Sequence, residues 1–165
     1  MTVAGEVHAA LRGSGVDFAV HVPDSVLEPV ARLLDADPDV PTFIASREDE
    51  AVAMATGAFY AGRVPVALME GSGVGYCGLI LARAQLQRSP LLLLAGHNRA
   101  LGERFDYHGA TRLAGQGVLD GLHIPSVVVT RAEDAAETVR QAVVTVVGQK
   151  TVVGVFFAPY VFREG

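Results

Sequence analysis

The sequence predicts a single three-layer α/β/α domain built on a mostly parallel sheet. Three observations predict it. Strand-like and helix-like segments alternate from end to end. The most apolar segment, 90–96, has the length of a strand and lacks polar alternation, as expected for a strand buried on both faces. The chain has 165 residues, half of them hydrophobic and 19% charged, which suits one domain around one sizeable core. Repeated strand–helix units then imply parallel pairing, with helices covering both faces of the sheet.

Each element follows from a local signal. Residues 3–12 read as a helix with Val7, Ala10 and Leu11 on one face, stopped by Gly13 and Gly15. Residues 17–22 are a short apolar strand ended by Pro23. Asp24 or Ser25 can cap the next helix, which runs through Val26, Val30, Leu33 and Leu34. The second strand is 41–45. Ser46 stands where a cap belongs, ahead of a helix over about 47–61, although Asp49 replaces the Glu or Gln of a capping box. The third strand, 64–69, leads into the glycine-rich run 71–75 and a helix to about 86. After the fourth strand, 91–95, a polar stretch over 97–108 breaks the rhythm. A helix (about 111–122), a strand (126–129), a helix (132–147) and a last strand (151–157) complete the chain. No internal repeat, low-complexity tract or linker interrupts it.

Composition narrows the function classes. No apolar run approaches the ~18 residues of a membrane span, and residues 1–6 lack the pattern of a signal peptide. The single cysteine, Cys77, excludes an internal disulfide, so a cytoplasmic location is expected. A net charge of -5 without a basic cluster argues against nucleic acid as a partner.

Ligands of parallel sheets sit beyond the C-terminal strand ends, at a topological switch point. The informative segments are therefore 21–25, 46–50, 70–75 and 96–108. Ser46-Arg47-Glu48-Asp49-Glu50 places three acids in the first turn of a helix, directly after a strand. Offsetting the helix dipole, at about 0.3–1 kcal/mol each, would account for such acids in an arbitrary helix. Here the helix continues with Ala51-Val52-Ala53-Met54-Ala55-Thr56-Gly57-Ala58, small and apolar nearly all round, which predicts deep burial. A carboxylate at the mouth of a buried helix is partly desolvated, which suits it to moving protons near neutral pH.

In Glu70-Gly71-Ser72-Gly73-Val74-Gly75-Tyr76-Cys77-Gly78 the glycines allow close backbone approach to a ligand, and free N–H groups at the next helix start favour anionic or polar atoms. Gly73, Gly75 and Gly78 satisfy G-x-G-x-x-G. The run follows the third strand rather than the first, however, and the acid expected about 20 residues on is missing, where the chain reads Ala95-Gly96-His97-Asn98. Residues 21–25 can be a turn with a helix cap or a binding segment. His97, Arg99 and His108, with Glu103, are either solvated loop residues or a site for an anionic substrate. His8 and His123 sit in ordinary structural contexts. No spacing suits a metal, and neither a G-x-S-x-G elbow nor a Walker loop is present.

Together these segments resemble the pyrimidine-binding (Pyr) domain of thiamine-diphosphate enzymes, most closely the alpha subunit of sulfopyruvate decarboxylase and the matching part of phosphonopyruvate decarboxylase. The likeness is carried by Val7-His8-Ala9-Ala10-Leu11, Gly15-Val16-Asp17-Phe18, Val22-Pro23-Asp24-Ser25 and Arg47-Glu48-Asp49-Glu50-Ala51. It continues through Ala55-Thr56-Gly57-Ala58, Ala61-Gly62, Ser72-Gly73-Val74-Gly75, Pro90-Leu91-Leu92-Leu93, Gly102-Glu103, His108-Gly109 and Ile124-Pro125. In the family a glutamate stands nine residues ahead of a glycine, at the start of a buried Ala/Gly-rich helix. Glu48 and Gly57 match that relation, which selects Glu48 over Glu50. The family glutamate hydrogen-bonds a pyrimidine ring nitrogen and favours the tautomer that deprotonates the thiazolium carbon. That carbon then attacks a 2-oxo acid, and the ring accepts the electron pair left as carbon dioxide departs.

The resemblance implies Glu48 as the catalytic residue, with Ser72, Gly73, Val74 and Gly75 beside it around the cofactor, thiamine diphosphate. It implies Pro23, Asp24, Ser25, His97 and His108 around a small 2-oxo acid, a 3-substituted pyruvate such as sulfopyruvate or phosphonopyruvate. Family enzymes hold the diphosphate and Mg2+ in a second domain, through Gly-Asp-Gly and a later Asn. This chain has only Leu119-Asp120-Gly121. A separate diphosphate-binding (PP) chain is expected to hold the metal, in a hetero-oligomer with at least two copies of each chain and an active site between them. Where sulfopyruvate-type enzymes carry Gln-Asn and a later Asn, this chain has Glu70, Gly71 and Tyr76. An acetolactate-synthase-like carboligase would use the same cofactor. A nucleotide-binding regulatory module on Gly73–Gly78 belongs to another class, and a non-catalytic scaffold of the same fold is the reading that Glu48 opposes.

Overall fold

The computed structural model describes residues 1–98 and 104–163, apart from the side chain of Arg112. Among the described residues six α-helices, α1 (Val3–Gly13), α2 (Glu28–Asp35), α3 (Glu48–Tyr60), α4 (Gly78–Leu86), α5 (Gly117–Gly121) and α6 (Ala135–Gln149), surround six strands. These are β1 (Phe18–His21), β2 (Thr42–Ile44), β3 (Pro65–Glu70), β4 (Leu91–Gly96), β5 (Ser126–Val129) and β6 (Val152–Phe157). The strands form one sheet in the order β2-β1-β3-β4-β6-β5. Every pairing is parallel, a stricter arrangement than the mostly parallel sheet expected.

The apolar strands take the middle of the sheet because only there are both faces covered. All of β4 and β6 is buried. Alternation divides their side chains between two cores. Leu92 and Leu94 join α1, α2 and α6 on one face, while Leu91 and Leu93 join α3, α4 and α5 on the other. Each such leucine contributes about 1.5–3 kcal/mol, so the central strands anchor the fold. β1 leaves through α2 toward one edge and one face, whereas β3 leaves through α4 toward the other edge and the other face. Their exits diverge side by side, His21 being paired with Leu68, which makes the crevice of a doubly wound sheet.

Four local expectations are corrected. Arg47, not Ser46, is the cap residue of α3, and it makes no side-chain cap bond. Instead the Ser46 N–H donates to the Glu50 carboxylate at 2.8 Å, so an acid one turn in does the capping. Helix α3 is not buried all round, because Ala53, Gly57 and Tyr60 face outward. Asp24 accepts from the N–H groups of Val26 (2.9 Å) and Leu27 (2.8 Å), but in a turn ahead of α2, which starts only at Glu28. The helix expected over 111–122 begins as a π-helix, Thr111–Gln116, before becoming α5.

Candidate functional site at the exits of β1, β3 and β4

The three acids that open α3 take three different partners. Asp49 pairs with Arg47 through two hydrogen bonds of 3.0 Å, which hold its carboxyl below the usual range. Glu50 receives the Ser46 N–H. Glu48 turns inward, partly buried, and has no hydrogen bond or ion pair with any described residue. Its side chain lies against Gly73, and a Cβ on that glycine would overlap the Glu48 carboxyl group. The missing side chain of residue 73 is therefore what admits Glu48. Cys77 closes the floor: its thiol is buried, 3.6 Å from the Gly73 carbonyl, and burial, then the charges of Glu48 and Asp49, push it up to about 12. The rim is Tyr76, 72% exposed, with the Arg47 guanidinium 6.0 Å from its ring centre.

The glycine run is a 3-10 turn, Gly73–Cys77, and its other glycines meet the chain itself. A Cβ on Gly71 would strike the Gly96 carbonyl and the Thr111 methyl; one on Gly115 would strike the Gly71 carbonyl; one on Gly75 would come within 2.8 Å of the Ala114 Cβ. The π-helix thus docks on the run through small residues on both sides. Val74 is fully buried, and the Ser72 hydroxyl donates to Glu70.

Glu70, the last residue of β3, is a polar hub. One carboxylate oxygen accepts from the Ser72 N–H (2.6 Å) and the Ser72 hydroxyl; the other accepts from Asn98 Nδ2 (3.1 Å) and Thr111 Oγ1 (2.9 Å). The only signal in the sequence was an acid ending an apolar strand next to Ser72. Asp24 reaches across β3 to β4, so that a Cβ on Gly96 would sit 2.9 Å from its carboxylate. Burial pushes the Asp24 carboxyl up to about 6; the Leu27 N–H opposes this and the Glu70 charge adds to it.

Of the other expected site residues, Pro23 and Ser25 are exposed. With Asp24, His21, Arg32 and Asp35 they line a cavity of about 420 Å3 on the α2 side, whose wall does not include Glu48 or Gly73. His21, which opens the segment 21–25, is buried there with Nε2 3.1 Å from Asp35. His97 is buried, 3.3 Å from Gln116 and edge-on to Phe156. His108 packs at 4.4 Å against Tyr107, in a separate 3-10 turn. Arg99, Gly102 and Glu103 lie outside the described residues. Among the described residues no three His, Cys, Asp or Glu side chains converge as a metal site, and no helix is long and apolar enough to cross a membrane.

The sheet defines a doubly wound α/β domain, and beside the exit of β3 it carries a carboxylate, Glu48, with no partner among the described residues. Residues 1–124 match the family "Thiamine pyrophosphate enzyme, N-terminal TPP binding domain", and the chain belongs to that family. It is 33% identical over 120 residues to sulfopyruvate decarboxylase subunit alpha of Methanothermobacter thermautotrophicus, covering 72% of this chain and 73% of that one. With the protein of the same name from Methanocaldococcus jannaschii it shares 30% over 139 residues, covering 82% and 81%. Among solved structures it superposes on benzoylformate decarboxylase from Polynucleobacter necessarius with a TM-score of 0.78 at 21% identity. For thiamine diphosphate-dependent 4-hydroxybenzoylformate decarboxylase from Rhodococcus jostii RHA1 the TM-score is 0.74 at 20% identity. Each superposition covers 99% of this chain but only 31% of the other. The fold agrees with the expected Pyr-type domain.

Proposed function

We propose that residues 1–165 form the pyrimidine-binding subunit of a heteromeric thiamine-diphosphate-dependent 2-oxo acid decarboxylase, with Glu48 as its catalytic residue. The observation that carries this reading is Glu48 itself. Alone among the three first-turn acids it has no partner among the described residues, and it lies against the one glycine whose Cβ would displace it. A partly buried carboxyl group without a partner suits a group that can share a proton with it, such as the ring nitrogen of an aminopyrimidine. Bound thiamine diphosphate supplies the electron sink for loss of carbon dioxide.

The chain's own residues bind and orient. Glu48 shares one proton with the ring nitrogen: it donates while it is a carboxylic acid and accepts once the proton has moved to the ring. Gly73 keeps the approach open, the Cys77 thiol stays neutral beneath it, and Ser72, Val74 and Gly75 contribute backbone to the same wall. Asp24, protonated up to about pH 6, can donate to an oxygen of the 2-oxo acid, with Pro23, Ser25, His97 and His108 in the surrounding segments. The names of the two relatives support sulfopyruvate, a 3-substituted pyruvate, as substrate, and the resemblance of the motifs adds phosphonopyruvate as the alternative. The designation of both relatives as subunit alpha supports a separate partner, which on this reading brings Gly-Asp-Gly, Asn and Mg2+, with at least two copies of each chain. Its seat is the outward stripe of Ala53, Gly57 and Tyr60 on α3, beside Tyr76, Leu79 and Leu86.

The test is Glu48→Gln in the complex with the partner chain. We expect turnover to fall by about 10²–10⁴-fold, with unchanged circular dichroism and melting temperature. Turnover at the unmodified rate would sink the reading.

A further inference from the structure

We propose that Glu70 is a positioning residue: its carboxylate clamps the exit of β3, the exit of β4 and the start of the π-helix into one unit that holds the Gly73 peptide against Glu48. The proposal rests on the reading of Glu48 given above. Its geometry is a division of labour between two oxygens. Oε2 holds the turn, through the N–H and the hydroxyl of Ser72, and Oε1 holds the far side, through Asn98 and Thr111. All four donors are neutral. Asn98 and Thr111 are themselves at least nine-tenths buried, so losing the acceptor strands donors away from water.

No other side chain can do this. A carboxylate has about four lone-pair sites for four donors, whereas a carboxamide offers one acceptor oxygen and turns an NH2 group toward donors. Aspartate keeps the charge but is shorter by one methylene. The clamp reaches Glu48 because Gly73 follows Ser72 directly, and because Gly71, Gly75 and Gly115 mesh the turn with the π-helix. A shift of Ser72 is therefore a shift of the surface on which Glu48 rests.

The charge of Glu70 is also felt by Asp24. The other groups about Asp24 are the N–H donors of Val26 and Leu27, and, across the cavity, the His21–Asp35 and Glu28–Arg32 pairs. Glu70 thus has an electrostatic signature, separable from its role as a clamp.

The experiment is amide hydrogen exchange with 13C-carboxyl titration on the full chain, comparing the wild type with Glu70→Gln, Glu70→Asp and Thr111→Val. We expect Ser72 and Gly73 amides to exchange at least about tenfold faster in Glu70→Gln and in Glu70→Asp. The Asp24 midpoint should fall in Glu70→Gln alone, since only that change removes the charge. Thr111→Val should loosen the π-helix and leave Asp24 unmoved. Wild-type protection of Ser72 in both Glu70 variants would overturn the clamp, as would an Asp24 midpoint that follows loss of protection rather than loss of charge. If Glu70→Gln does not fold, Glu70→Asp and Thr111→Val decide on the same criteria. In the complex, Glu70→Gln should lower kcat more than it changes KM. None of the exchange readouts needs cofactor, so full turnover by Glu48→Gln would remove the functional reading and leave the clamp to be judged separately.

Discussion

Asp24 is a carboxyl group whose protonation the fold favours. Its carboxyl ordinarily titrates near 3.8 and is pushed up to about 6 in the folded chain. A raised carboxyl binds its proton more tightly folded than unfolded. It therefore stabilises the fold fully below about pH 3.8, and that contribution is lost as pH rises through about 6. Asp24→Asn keeps a side-chain acceptor for Val26 and Leu27 without the charge. We expect it to match the wild type near pH 4 and to exceed it by about 1–3 kcal/mol at pH 7–8, read from urea midpoints across that range. An unchanged difference across pH would show that the charge of Asp24 is not what burial penalises. The resemblance selects Glu48 over Glu50 as the candidate acid, because the family's glutamate stands nine residues ahead of a glycine, as Glu48 does ahead of Gly57. The fates of Asp49 and Glu50 were not legible, since a side chain's choice between a guanidinium and a backbone N–H depends on how the chain enters the helix.

At the scale of elements the glycines of the third turn separate into two kinds. At Gly71 an added Cβ meets the Gly96 carbonyl, part of a sheet that cannot give way, and Gly115 meets the Gly71 carbonyl. At Gly73 the obstacle is the Glu48 side chain, which can rotate off its seat. Gly71→Ala should therefore destabilise the fold by about 2–4 kcal/mol. Gly73→Ala should cost less than about 1.5 kcal/mol and still abolish function by moving Glu48. Thermal melts beside turnover in the complex separate the two, and equal losses of stability would refute the distinction. The π-helix was read as an α-helix because its composition carries no sign of the wider turn. It is set by what it lies on: Gly71, Gly75 and the oxygens of Glu70.

The whole molecule leaves one stripe of its α3/α4 layer uncovered. Ala53 and Gly57 face outward without bulk, beside Tyr60, Tyr76, Leu79 and Leu86. An isolated chain gains nothing from glycine there. Nothing lies within 4 Å of a Cβ on Gly57, so Gly57→Leu should stabilise the free chain by about 0.5–1 kcal/mol through helix propensity. The same substitution should weaken association with the partner chain at least tenfold, measured by sedimentation or calorimetry. Undiminished association would place the partner elsewhere.

The sequence by itself determined the order of the strands and of the main helices, the burial of β4, the parallel class of the sheet and the candidacy of Glu48. These rest on signals that are local or repeat at a fixed period, so neighbours along the chain suffice to read them. Only the tertiary structure decided which glycine faces Glu48, which faces the π-helix, and that Glu70 is a hub rather than a bystander. Glu70 and Thr111 are 41 positions apart, and their contact exists only once β3 and β4 have paired and the chain has turned back over their ends. No pattern along the sequence encodes a meeting of that kind, because it depends on the sheet register and on the volumes of everything packed beneath it.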